Sequence, residues 1–570
     1  MRSISRAVFY AIILGGLLVS CRTTARARDV PAPDQEPSIA GNGEEAQSGR
    51  SGVAEEIRRL TETGTLASMY EAIERIRSLN LGGTEFGRVM NAVNTTLIQQ
   101  VYGVTDADLP RPDLPQTHMY ARILRNAERG LYTSPSGNSS DYLEYVLPFL
   151  AFINETRQEV LPNALPDLQK AQELRPDSVL APYFAGLVHE RTGRLEEARG
   201  DYNKALSLSV DCYPATLGLA RMARLSGNVQ AALNMLAELS SRYPGNNSIT
   251  RQLAVAYYQA GDWARAEPII SEVLRRSPRD GDFLLMRSHI LVETGQYMQA
   301  QGALDTYASF NPFTRLYLFL RARIQGEALH SREQALNFLQ TLLRSYPDDE
   351  EAMLYTAMLL LESTRDEEQA EGRQMLRRML AANNNPPLPV LSLALQDAIN
   401  RESWQEAQGF LRRLLAERRS AKDLYDAYLV ERGLGNSTRA ITYARELYDR
   451  DTRNDDGIAA YISALIDLNR REEASRLIAQ RLAALPGGAE KSRYLFLRSR
   501  IGANEEAVMT DLSSALFENP RNLSALIAMF EIYHTRKDSR RAVYYLKQAL
   551  AIAPGNPRLR RYEAEYTGLL

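Results

Sequence analysis

The stretch LAVAYYQAGDWARAEPIISEVLRRSP, residues 253–278, carries the pattern that decides the fold. Leu253, Ala254 and Tyr257 recur at helical spacing and the run ends at Gly261. A second run opens at Trp263, carries the small Ala266 and, one turn later, the large Ile270, and stops at Pro278. The Gly suits the left-handed turn that ends one helix and sends the chain back. The Ala lets the second helix approach the first closely, and the large residue four positions on fills the space between them. The residue before the Pro avoids the helical region, so the second helix stops there.

Working outward, the same signs return every 34 residues. Gly193, Gly227, Gly261 and Gly295 keep that interval, and five residues after each stands Ala198, Ala232, Ala266 or Ala300. Twelve residues beyond three of these Ala come Pro244, Pro278 and Pro312, with Val210 in the first copy instead. The Ala-to-Pro interval also holds for Ala164 and Pro176, Ala335 and Pro347, Ala474 and Pro486, and Ala542 and Pro554. The large residue four after the Ala is Tyr202, Leu236, Ile270, Leu304, Leu339, Leu411, Ile478 or Leu546. Two copies fit poorly: at 350–386 Ala370 is followed by Gln374, and at 488–522 Asp511 occupies the large apolar slot.

This pattern resembles the tetratricopeptide repeat, over roughly residues 145–556 and about twelve units, with a polar helix at 557–566 suited to a cap. The resemblance implies an all-α, right-handed superhelical solenoid whose first helices line a concave groove. By the same resemblance, groove residues lie ten, six and three positions before the turn Gly. Those are Tyr183, Leu187 and Glu190; Leu217, Arg221 and Arg224; Arg251, Val255 and Tyr258; and Leu285, His289 and Val292. Such a mixture of Arg, Tyr and Leu suits an extended protein segment. The Asn and Lys clamp with which chaperone-binding relatives hold a terminal carboxylate is not reproduced. The alternative for each Arg is a solvated side chain. Asn383 to Pro389 interrupts the array, and the run reads equally as a hinge between sub-arrays 141–382 and 390–556 or as a longer loop in one superhelix.

Before the array, residues 53–140 read as an all-helical region: one helix from Val53 to about Leu79, another from Phe86 to Val101, a Pro-rich break at 109–115, and a helix over Thr117–Arg129. The apolar run Tyr142–Ile153 follows a turn-rich break. Residues 22–52, short of aliphatics, read as a tether.

The first twenty residues read as a secretion signal. Arg2 and Arg6 precede the apolar run Ala7–Val19, about 20 Å as a helix and too short to cross a bilayer core of roughly 30 Å. Leu18-Val19-Ser20-Cys21 resembles the bacterial lipobox, which implies that Cys21 is acylated, palmitate included, and anchors the mature chain to a membrane. The alternative is an ordinary cleaved signal with an incidental Cys. Arg22 stands where inner-membrane relatives often carry Asp, which favours the outer membrane. With Cys21 acylated, only Cys212 remains, so the fold has no intramolecular disulfide.

Composition narrows the function. The 570 residues are 44% hydrophobic and 24% charged, with 68 basic against 70 acidic side chains, which gives no electrostatic reason to bind nucleic acid. Only six basic residues are Lys and none follows a Gly, so a P-loop is excluded. His118, His189, His289, His330 and His534 are scattered, without metal-ligand spacing. No nucleophile elbow, dinucleotide loop or zinc-protease motif occurs, so no cofactor and no enzyme are expected. The expectation is a cell-envelope lipoprotein that docks other envelope proteins or peptides in its groove. A small-ligand or transporter-associated lipoprotein, and an envelope enzyme with its site in 53–140, are the alternatives.

Overall fold

A computed structural model describes residues 44–566, apart from 107, 112–113, 116, 136–138, 155–160 and 384. Cys21, the signal and residues 22–43 lie outside the described residues. Every regular element among the described residues is helical, and none is long and apolar enough to cross a membrane. The chain divides into two compact units at Phe313–Thr314.

In the first unit, four helix pairs follow one another from Leu180 to Ala308, each a first helix of 12 or 13 residues and a second of 12 or 14. Their turn glycines take φ of +76°, +84°, +70° and +76° at Gly193, Gly227, Gly261 and Gly295. The next amide closes back on the carbonyl five residues earlier, as from Arg194 to His189 at 2.9 Å and from Asp262 to Tyr257 at 3.0 Å. This bond satisfies a carbonyl that the helix end leaves unpaired. The Ala and its large partner are buried in each of these four pairs, from Ala198 and Tyr202 to Ala300 and Leu304, none more than 1% exposed. They hold the two helices of each pair together and tie it to the next pair.

The second unit continues with seven pairs, from Arg315 to Ile552, capped by Pro557–Glu565. Its left-handed turns are made with Gly435 in one pair, but with His330, Glu402, Asn469 and Lys537 in four others, at φ between +51° and +58°. All four stand five residues before the Ala of their repeat. At 366–382 the small–large pair is Gly372 and Leu376, two residues beyond Ala370 and Gln374. A Cβ on Gly372 would stand 3.0 Å from Leu360 and 3.1 Å from the Ala357 carbonyl, so only Gly allows that approach. Asp511 does occupy the apolar slot, 8% exposed, with Arg498 gripping both its oxygens at 2.6–3.1 Å. Across the Asn/Pro run, Leu376 and Met379 share a buried cluster with Val390 and Ala394.

The N-terminal region differs in detail from its sequence reading. The expected tether overlaps a helix, Glu44–Thr63, which is anchored by the buried Ile57 and Thr61. The single helix expected over 53–79 breaks at Gly64, φ +74°, and restarts as Leu66–Ser78 behind a Thr65–Ser68 capping box. The run 142–153 is three short turns, Tyr142–Val146, Leu147–Leu150 and Ala151–Asn154, because Pro148 cannot donate to a continuing helix. These elements share one buried cluster with the repeats up to Ala256. Tyr102 makes the tightest junction. Its hydroxyl donates to Gly64 O at 2.7 Å, while its carbonyl accepts from Tyr213 Oη and from Asn246 Nδ2 at 2.8 Å.

Candidate functional site

The twelve groove residues lie on first helices of the first unit, and two pairs of them, Glu190 with Arg221 and Tyr258 with His289, bridge successive repeats. Arg221 donates from Nε and Nη2 to both oxygens of Glu190, at 2.8 and 2.7 Å. The Tyr202 hydroxyl joins the same carboxylate at 2.6 Å. Tyr202 comes from the second helix, and its ring passes between two glycines: a Cβ on Gly186 or Gly218 would stand 2.7 or 2.4 Å from the ring. Burial opposes the Arg221 charge, but Glu190 outweighs it and holds the guanidinium above its ordinary value. Burial raises the Tyr202 phenol far out of range and Tyr183 to about 12, so both stay protonated.

One repeat on, Arg251 pairs with Asp280 at 2.7 Å and lies over the Phe283 ring at 4.5 Å. Tyr258 shares a 2.7 Å hydrogen bond with His289 Nδ1, and the imidazole packs edge-on against Trp263 and lies 3.7 Å from Glu293. The second unit repeats the device, with Asp467 bridged by Arg432 at 2.7 Å and Arg500 at 2.5 Å. Arginine suits this work because its planar fork grips a carboxylate at two points while its stem packs on apolar neighbours.

The sequence reading placed these residues along one open groove. The structure buries Tyr183, Leu187 and Leu217 in the cluster that also holds Val101 and Tyr102, and buries Tyr258, Leu285, His289 and Val292 as well. Glu190, Arg221, Arg224, Arg251 and Val255 remain half-buried. The first-helix face is thus a set of cross-braced charged side chains over an apolar floor. Sequence spacing missed Arg191, which falls two residues before the turn Gly and stands beside Glu190, and it missed the reach of Tyr202 through to that carboxylate.

The histidines serve the fold. His118 accepts from the Tyr120 amide, His189 meets Asp201 at 2.7 Å, His330 makes a left-handed turn, and His534 meets the Tyr566 hydroxyl of the capping segment at 2.7 Å. Among the described residues no three His, Cys, Asp or Glu are grouped to hold a metal ion. Cys212 is buried, which pushes its thiol up to about 12. Two shallow depressions of about 580 and 630 Å³ lie along the second helices Ser437–Arg450 and Glu505–Glu518, and neither includes a groove residue.

Family profiles described as tetratricopeptide repeat match residues 157–215, 223–283 and 257–324. These stretches are tetratricopeptide repeats. No curated protein matches the sequence. Among solved structures, pilF of Pseudomonas aeruginosa is similar at 20% identity and a TM-score of 0.34, covering 38% of this chain and 97% of its own. PilW, a type IV pilus biogenesis factor, stands at 16% and 0.32, covering 38% and 98%. Yeast Tom70 stands at 13% and 0.32, covering 75% and 94%.

Proposed function

We propose that this chain is a lipid-anchored cell-envelope scaffold that docks other proteins on the first-helix face of its repeats and carries out no chemistry of its own. The observation that carries the reading is the stacked array itself. The first repeats share one buried cluster and carry partly buried Glu190, Arg221, Arg224 and Arg251 on successive first helices, a surface suited to an extended polypeptide. The anchor rests on sequence alone: two Arg, a short apolar run and Leu-Val-Ser-Cys ending at Cys21. Several acyl chains at about 0.8 kcal/mol per buried methylene would make the attachment effectively permanent. The outer membrane, facing the periplasm, is the location favoured by Arg22.

Two experiments test it. Cells fed an alkynyl palmitate label the wild-type chain and leave Cys21→Ala unlabelled and released from the membrane fraction; equal labelling of both refutes the anchor. A photocrosslinker at Arg251 captures another envelope protein in living cells. Recovery of lipid or self-contacts alone refutes the scaffold.

A further inference from the structure

Basic and acidic side chains balance over the whole chain, 68 against 70, but not at the helix pair Leu523–Thr535 and Ser539–Ile552 and the cap Pro557–Glu565 that packs on it. From Arg536 to Arg561 stand eight basic residues and one acid, Asp538. Four of the eight meet carboxylates: Arg536 with Glu505 at 3.0 Å, Arg541 with Asp538 at 3.6 Å, Arg558 with Glu531, and Arg560 with Asp366 at 3.7 Å. The other four, Lys537, Arg540, Lys547 and Arg561, are exposed and meet no carboxylate among the described residues. Arg540, Tyr544 and Lys547 stand at i, i+4 and i+7 of one helix and so share its outer face, with Lys537 in the turn before it. Helix stability does not explain Arg540. Five of the seven second helices of this unit open with an acid, which the positive helix end favours, whereas Ser539–Ile552 opens with Arg540 and Arg541. Tyr544 is 58% exposed, with its ring edge-on to Tyr545, which stacks on the buried Tyr533. The face therefore sets unpaired cations around an aromatic side chain rooted in the core. The two depressions on the second helices reach none of these four residues.

We propose that Lys537, Arg540, Tyr544 and Lys547 form a docking face for an anionic phospholipid bilayer, with the cations on headgroup phosphates and the Tyr544 ring in the interfacial layer. A bilayer supplies a plane of mobile phosphates that gather under each cation without a shaped pocket, and a zone in which tyrosine is favoured. A nucleic acid strand would also pair with the cations, but one exposed ring is not the succession of aromatic platforms on which bases stack. The face lies in the second unit, away from the first-helix surface of the first unit and from Cys21, so it stands independently of the docking and anchoring readings.

The test uses the purified full chain carrying Cys21→Ala, so that no acyl chain contributes, and sedimentation with vesicles of phosphatidylcholine alone or with about a third phosphatidylglycerol. The neutral vesicles read any contribution of the apolar run Ala7–Val19. Binding to the anionic vesicles is expected above that baseline and should fade as salt screens it. Lys537→Gln, Arg540→Gln and Lys547→Gln together should weaken it by roughly a hundredfold, at about fivefold for each cation near an anionic surface. Tyr544→Ala should weaken it at every salt concentration, because an apolar contribution is not screened. Arg445→Gln, Arg453→Gln and Arg476→Gln remove the same charge from exposed positions elsewhere in the unit and should leave binding unchanged. Circular dichroism checks that both triple variants fold. Anionic vesicles bound no better than neutral ones, equal losses in the two triple variants, or an oligonucleotide bound more tightly than the vesicles through the same three cations would each overturn the bilayer face. None of these results bears on acylation of Cys21 or on protein docking.

Discussion

Tyr202 is held between two glycines, and two glycine substitutions in successive repeats, one against its ring and one away from it, should move stability in opposite directions. A Cβ on Gly218 would stand 2.4 Å from the Tyr202 ring, roughly 1 Å inside van der Waals contact. The ring has nowhere to retreat. On its other side the Cβ position of Gly186 is 2.7 Å away, and its hydroxyl is tied to Glu190 at 2.6 Å. Gly218→Ala is therefore an overpacking substitution expected to cost about 1–3 kcal/mol, at the upper end because the ring is pinned from both faces. Gly200 lies on the exposed side of the second helix, with nothing within 4 Å of its Cβ position. There Gly→Ala removes backbone freedom from the unfolded chain and should stabilise by about 0.5–1 kcal/mol. Thermal unfolding of the full chain by circular dichroism reads the shift, at roughly 2–4 °C per kcal/mol for a unit of this size. Hydrogen exchange over 180–225 locates it. Tyr202→Leu introduced beside Gly218→Ala should relieve the clash. A Gly218→Ala chain as stable as wild type, or one that Tyr202→Leu makes worse, would refute the packing argument.

Further outcomes follow from other positions. Glu402→Gly and Lys537→Gly should each stabilise by up to about 1 kcal/mol, because both side chains occupy left-handed turns that L-residues adopt at a cost; unchanged melting of both would contradict this. Burial opposes the charge of Asp423, but Arg418 at 2.9 Å and the Ser420 amide at 2.8 Å override it and hold the carboxyl below its ordinary range. Its stabilisation is complete above the unfolded carboxylate value and is lost as pH falls through the lower folded one, so Asp423→Asn should flatten the acid limb of a stability–pH curve. Cys212, with a thiol raised to about 12, should react with a disulfide reagent at pH 8 about a thousandfold slower in the folded chain than in urea; comparable rates would show that it is accessible.

Much of this architecture could be read from spacing. Gly, Ala, the large residue and Pro at fixed intervals give the helix pairs their bounds, because each carries out a local task that the neighbouring chain cannot override. The readings departed from the structure where contact between distant segments decides. Gly372 replaces Ala370 as the close-approach residue because Leu360 and the Ala357 carbonyl press there. Asp511 keeps an apolar slot only because Arg498 reaches it. Glu402 and Lys537 hide their turns, since nothing in a Glu or Lys announces a positive φ. At the site, the ten-six-three spacing located Glu190, Arg221 and Arg224, yet it could not show which Arg is already paired or that Tyr183 belongs to the core shared with the N-terminal helices.

The carbonyl of Tyr102 takes hydrogen bonds from Tyr213 and Asn246, the leading ends of two successive first helices. A solenoid behaves as a spring whose pitch relaxes through small rotations between neighbouring coils. One oxygen holding two coils at once forbids that rotation, so this end of the array is a stiff handle. Any stretch of the array would then be taken up by coils beyond Asn246.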